Sequence, residues 1–352
     1  MNTAVINFFK FLLFLSIGLV ILYLVYQNQN TAYLAQCATD GIPAEDCSLI
    51  QKVIEDFKGL NYFWVLGVFA AYTFSNMMRA LRWNMLLKSL GRTPRTINSF
   101  LTIMLALFAN LGLPRLGEVL RPVTLARYEK MPVEKVLGTI VVDRTLDVLS
   151  LLTLIGIAFL LEFDRLWGYL SENMVSDGGN LLMHPIILGL GGFGIISLAL
   201  LFIFRNQIQQ SKFYEKIVTI LKGFWDGIMS IKNLENPPLF IFYSIMIWVA
   251  YYIMFYMYLP AFSPTAHLGF TVALMIFVFG TFGIVIPSPG GMGSYHFLVM
   301  AALALYGVTG SDAFSFANFS FFATHFCNIV LGLVAVLFLP TINKNYHPVP
   351  IE

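Results

Sequence analysis

The chain has 352 residues, 58% of them hydrophobic and 11% charged, and its mean hydropathy is +0.76. Soluble domains carry about a quarter charged residues, so this composition excludes a soluble globular enzyme. A formal net charge of +2, with no run of like charge, excludes a nucleic-acid partner.

What remains is an all-α integral membrane protein, a single polytopic domain with room for roughly six to eight spans of about 20 residues. The first apolar stretch, Phe8 to Tyr26, runs into Gln27-Asn28-Gln29-Asn30 without a small-residue cleavage site. It reads as a retained span with a cytoplasmic N-terminus. Residues 27–60 follow as a polar loop carrying Asp40, Glu45, Asp46, Glu55 and Asp56 against Lys52 and Lys58, and are placed outside. Cys37 and Cys47 share that loop, either as a disulfide of an oxidising compartment or as two free thiols. Cys327, inside a late apolar run, reads as a small core residue.

A second span, about residues 62–79, ends in Arg79, Arg82, Lys88, Arg92 and Arg95, which the positive-inside rule places in the cytoplasm. Snorkelling and interfacial anchoring account for Arg79, Arg82 and Trp83 there, with a headgroup-binding role as the alternative. Ser99 to Leu113 is about 15 residues, or about 22 Å as a helix, against a hydrocarbon core of about 30 Å. Behind it the chain returns to Arg127, Lys130 and Lys135. Both feet therefore stand on one side, which predicts a re-entrant hairpin with its break at Gly112 to Arg115. A span over 136–161 leads outward to Glu162, Asp164, Glu172 and Asp177, and one over 185–204 returns. Residues 205–238 read as a lysine-bearing amphipathic connector on the inner leaflet.

A span over 239–260 goes outward again. Two apolar runs, 268–286 and 295–306, then flank Pro287-Ser288-Pro289-Gly290-Gly291-Met292-Gly293, and a last span over 313–340 leads to Lys344 and the tail, 341–352. Reading the pair as a second hairpin leaves only Lys52, Lys58 and Arg165 outside among the 21 bases and makes the C-terminus cytoplasmic. The alternative is that 268–286 crosses fully. The expected architecture is thus about six full transmembrane helices plus two re-entrant hairpins, arranged as inverted repeats at 61–204 (with an extra span) and 239–340, after a first span and external loop at 1–60. Broken helices meeting near the midplane mark alternating-access transporters.

Charge beside the first break needs a reason, because an ionisable group in the bilayer costs a few kcal/mol. Arg115, Glu118 and Arg121 are spaced by three, so a helix opening after Pro114 puts them on one face beside Asn110. Two guanidiniums around one carboxylate, at a helix N-terminus, suit a phosphate. Asp143 and Asp147 share a face of the next span beside Arg144. They either pair with Arg115 or Arg121, or bind protons or a cation for coupling. In the second hairpin Ser288, Gly290, Gly291, Gly293, Tyr295 and His296 offer amides, a hydroxyl and one titratable ring to a headgroup. No metal-ligand spacing and no nucleophile with a base occurs, so no cofactor is expected.

Arg79-x-x-Arg82-Trp83, Asn110-x-x-x-Pro114-Arg115-x-Gly117-Glu118-x-x-Arg121, Asp143-Arg144-x-x-Asp147 and Ile286-Pro287-x-Pro289-Gly290-Gly291-x-Gly293 occur in that order. Together they resemble the flippase-like transmembrane domain of the lysylphosphatidylglycerol synthase family, over about residues 60–340. The resemblance implies a membrane domain that moves phospholipids between leaflets, in a stand-alone form without the soluble aminoacyl transferase domain. The cysteine-bearing first loop lies outside that pattern. The expected function is translocation of an anionic phospholipid or polyprenyl-linked lipid across the cytoplasmic (inner) membrane, with a lipid-synthesis enzyme as a candidate partner. The alternatives are a membrane enzyme acting on a lipid phosphate and a non-transporting scaffold of envelope lipid synthesis.

Overall fold

A computed structural model describes residues 3–39, 42–43, 45, 47–89, 91–112, 116–165, 167–168, 234–286 and 291–348. Within them the chain is all-helical: α1 (Thr3–Thr39), α2 (Leu49–Lys58), α3 (Tyr62–Lys88), α4 (Thr96–Gly112), α5 (Leu116–Glu129), α6 (Val133–Leu161), α7 (Pro237–Ala261), α8 (Phe270–Val285), α9 (Ser294–Ala304) and α10 (Gly310–Ile342). The span expected at 185–204 and nearly all of the expected connector lie outside the described residues.

Among the described residues three helices, α6, α7 and α10, are long and apolar enough to cross a membrane. Little of α6 is buried within the protein, so most of its apolar surface faces outward, as a lipid-facing helix requires. Local signals set several boundaries. The Asn61 side chain accepts the Phe63 amide at 3.1 Å to open α3, and Asn236 accepts the Leu239 amide at 3.1 Å, with Pro237 next, to open α7. Three boundaries differ from expectation. α1 continues through the polar residues 27–39, expected as loop, to Thr39. Residues 49–58, read as loop, form α2, and α3 continues past Arg79 to Lys88. The arginines misled the reading because charge normally ends a span, whereas here it is neutralised inside one.

α3 and α7 run antiparallel, fixed at one end by the Asn61 amide on the Ala261 carbonyl and at the other by Lys88 against Glu235. α4 and α5 form a hairpin with both feet at that second end, where Asn98 donates to Glu129 at 2.7 Å. α8 and α9 form another hairpin with its feet at the opposite end: Tyr252 reaches the Phe270 carbonyl at 2.9 Å, and Arg165 the Leu305 carbonyl at 3.2 Å. Lipid offers no hydrophobic drive for helices to associate, so close approach rests on small residues. A β-carbon on Gly117 would lie 2.1 Å from the Ala106 carbonyl oxygen, and one on Gly283 would lie 2.5 Å from the Tyr295 α-carbon. Each hairpin is therefore zipped by a glycine that nothing larger replaces without a shift. Gly332 of α10 admits Phe108 of α4 in the same way.

Outside this bundle α1 lies against α9 and α10, with Gly293 (φ 81°) seated on the backbone of Gly18. A disulfide joins Cys37 at the end of α1 to Cys47 before α2. Cys327 is buried as a free thiol.

Candidate functional site

The site begins on α3. Asn76, Arg79 and Trp83 recur at spacings of three and four, which puts them on one face, with Arg82 beside them. All four are buried, Arg82 and Trp83 at 0% exposure. The interfacial anchoring expected for Arg79, Arg82 and Trp83 is therefore replaced by burial among helices. A carboxylate partner makes that burial tolerable.

The partners come from α6, where Asp143 and Asp147 stand one turn apart. Arg82 donates through Nη2 to Asp143 Oδ1 at 2.6 Å and to Asp147 Oδ1 at 2.7 Å, and through Nε to Asp143 Oδ1 at 3.0 Å. Arg79 binds Asp147 Oδ2 and stands 3.8 Å from Asp143. From α5, Arg121 Nη1 donates to Asp143 Oδ2 at 3.0 Å. The Arg121 guanidinium carbon lies over the Trp83 ring, 4.0 Å from its centroid, and the Trp83 Nε1–H donates to Thr139 Oγ1 at 2.8 Å. Arg144 is half exposed and 4.0 Å from Asp147.

Three buried guanidiniums thus share two carboxylates, leaving one positive charge uncompensated. Adding the exposed pair Arg144 and Glu118 does not change that balance. Two donors of Arg121, Nε and Nη2, and one of Arg82, Nη1, make no hydrogen bond among the described residues. Desolvated N–H groups of a cation are costly to leave unmade, by about 1–3 kcal/mol each or more.

Beside Arg121 opens a cavity of about 130 Å³, walled by α3, α4, α5, α6 and α7. Arg79, Asn76, Asn110, Glu118, Arg121, Arg144 and Tyr251 supply its polar lining, and Ile103, Ala106, Leu107 and Ile140 the apolar part. At about 30 Å³ per water it holds about four waters, or one phosphate-sized anion. Asn110 sets its depth, because its Oδ1 accepts the Gly117 amide at 2.7 Å and so fastens the start of α5 to the end of α4.

The structure therefore brings Asn110, Glu118 and Arg121 together with Arg79 and Arg144, and ties them to Asp143 and Asp147 behind. Arg115, Ser288 and Gly290 lie outside the described residues. Gly291, Gly293, Tyr295 and His296 do not line this cavity. Tyr295 donates to Ser320 Oγ at 3.0 Å, and His296, 1% exposed, packs against the Phe321 ring at 4.7 Å. These residues pack α9 against α8, α10 and α1, away from this cavity. Asn76 and Tyr251 were missed. A polar stripe of Asn76, Arg79 and Trp83 at helical spacing carried the signal for the first, and nothing local marks the second. Among the described residues no group of three or more His, Cys, Asp or Glu is placed to hold a metal.

A family profile described as the lysylphosphatidylglycerol synthase TM region matches residues 48–332. The UPF0104 membrane protein MJ1595 of Methanocaldococcus jannaschii is 29% identical over 101 residues, which are 28% of this chain and 30% of that protein. The chain thus aligns with under a third of that relative's length. No solved structure matches. The family match spans α2 to α10, including every residue of the cavity wall, and the chain belongs to the family of the lysylphosphatidylglycerol synthase TM region.

Proposed function

We propose that the protein is a translocator, not an enzyme, that moves an anionic phospholipid or lipid-linked headgroup between the leaflets of the cytoplasmic membrane. The observation that carries this reading is the guanidinium edge of Arg121. Its face is covered by Trp83 and one donor is held by Asp143, while Nε and Nη2 are left unbonded among the described residues, beside a cavity with an excess positive charge. A phosphate oxygen pair matches that edge bidentately, and an ammonium does not. Arg79 and Arg144 add charge around the seat, and Arg115 belongs to the same tip by sequence. Glu118, exposed at the cavity, meets a cationic part of the headgroup or orients a guanidinium. Asp143 and Asp147 hold the arginines in place.

The packing supports an inverted repeat in which α3 to α6 correspond to α7 to α10. α3 packs on its counterpart α7, α4 on α10 and α8 on α6, and each of the two hairpins has its feet at opposite ends of the molecule. Helices of 17 and 16 residues, α4 and α8, reach about 26 and 24 Å, short of a hydrocarbon core of about 30 Å. We read both hairpins as re-entrant, with rocking of one repeat against the other exposing the cavity to each leaflet. Lys88, Arg92, Arg95, Arg127, Lys130, Lys135 and Lys344 gather at the end holding the feet of α4 and α5, which we take as cytoplasmic.

The reading is tested by the lipid that travels with the protein. Native mass spectrometry of the purified chain in phosphatidylglycerol nanodiscs is expected to find a retained anionic lipid, with occupancy about tenfold lower in Arg121→Lys, a change that keeps charge and removes the fork. Equal occupancy in the two proteins counts against the cavity as the phosphate seat.

A further inference from the structure

At the basic end of the molecule a second, larger cavity of about 680 Å³ opens between the N-terminus of α4 and the residues that follow α10. Arg95, Lys344, His347 and Tyr346 line it, with Thr341, Ile342 and Asn345, and among the described residues no carboxylate is in the lining. The nearest acid, Glu129, is buried at 2% exposure and already engaged: it accepts from Asn98 Nδ2 at 2.7 Å, the Arg95 amide at 3.1 Å and the Tyr346 hydroxyl at 2.9 Å. Asn98 and Asn343 exchange side-chain hydrogen bonds at 2.9 and 2.8 Å, which locks the end of α10 to the start of α4. On that floor the Arg95 guanidinium stands over the Tyr346 ring, 4.2 Å from its centroid, and the residue is exposed. Neither Arg95 nor Lys344 forms an ion pair among the described residues.

We propose that this groove is a second, peripheral binding site for a phosphoryl anion, presented by Arg95 and Lys344. A guanidinium whose orientation is fixed by an aromatic face loses little freedom on binding, and an ammonium across the groove supplies a point charge for the remaining oxygens. A groove with basic walls and a neutralised floor attracts a phosphate diester of the adjacent leaflet or a free phosphate by the same chemistry. The site joins α4, of the first half of the chain, to the end of α10, of the second. An occupant therefore bears on how the two halves pack, and the site is independent of whether the central cavity translocates lipid.

Two arms separate the sources. In the first, photoactivatable phosphatidylglycerol in nanodiscs is crosslinked and the labelled residues are mapped by peptide mass spectrometry. In the second, radiolabelled orthophosphate binding to the detergent-purified protein is measured by equilibrium dialysis. Labelling within residues 341–347 points to a lipid headgroup, and phosphate binding to a soluble anion. Either signal should fall about tenfold in the Arg95→Gln, Lys344→Gln double variant and persist in Lys344→Arg, which keeps both charges and the guanidinium over Tyr346. Signals unchanged in the Gln variant, or absent from both arms with the natural protein, overturn the proposal.

Discussion

At the scale of single residues the account rests on a buried ion cluster in which no member is replaceable alone. Arg82 bridges Asp143 and Asp147 at 0% exposure, so Arg82→Gln takes from each a buried charged partner and leaves Asp147 to Arg79 and Asp143 to Arg121 and Arg79. Removing one partner of a buried pair costs about 3–5 kcal/mol, and a large fall in the melting temperature of the detergent-purified variant is expected. Glu118→Gln, at an exposed position with no hydrogen bond or ion pair among the described residues, should leave stability within about 0.5 kcal/mol of the natural protein and the melting temperature nearly unchanged. A comparable loss in both variants contradicts the division between supporting and ligand-facing groups. Much of this cluster was legible. The spacing of Asp143 and Asp147 put them on one face, and Arg121 beside a broken apolar run announced a partner. Arg79 and Arg82 were misplaced because sequence alone prices each charge by itself, while the structure neutralises them with acids some 60 residues away. Tyr251, brought in by α7, had no local signature at all.

At the scale of elements the two hairpins depend on glycines that let helices touch. Gly117→Ala forces a methyl into the Ala106 carbonyl, and Gly283→Ala one into the Tyr295 backbone. Each should destabilise by about 1–3 kcal/mol, as overpacking does. Gly138→Ala and Gly156→Ala on α6 meet nothing within 4 Å, so the helix propensity of alanine should leave stability unchanged or raise it by up to about 1 kcal/mol. Thermal unfolding of the four variants in one detergent checks the contrast, and equal losses in all four remove the argument from close approach. Run length pointed to the first hairpin, where about 15 apolar residues stand between like ends, whereas the 268–286 run is long enough that its sequence left a full crossing open. Which glycine performs the close contact was not legible, because that depends on the facing helix.

At the scale of the whole molecule the two ends are fastened differently. One end is closed by Lys52, which donates to Asp56 at 2.8 Å and to Asp312 of α10 at 3.0 Å, next to the Cys37–Cys47 disulfide. Partial burial lowers the Lys52 pKa, and the bonds to Asp56 and Asp312 outweigh it, so the value stands above 10.5. A raised lysine pKa contributes stability that is full below its unfolded value and lost as pH climbs past the folded one. The clamp is accordingly insensitive to pH from 6 to 9, and Lys52→Met should cost at most about 1 kcal/mol throughout that window. The other end is closed by Tyr346, whose hydroxyl is pushed up to about 12 by burial and by its bond to Glu129. The folded state thus keeps that proton where the unfolded chain loses it, and stability should decline only as pH rises above about 10. The alternation of hairpins between the two ends is what joins these observations to transport. The central claim is that the cavity beside Arg121 carries a lipid phosphate from one leaflet to the other. The most direct measurement is the rate at which fluorescent phosphatidylglycerol crosses the bilayer of liposomes containing the purified protein. The natural protein should exceed protein-free liposomes, with a rate about tenfold or more lower in Arg121→Lys and in Glu118→Gln. A rate in those variants equal to that of the natural protein, or a natural protein that moves no lipid, contradicts the account.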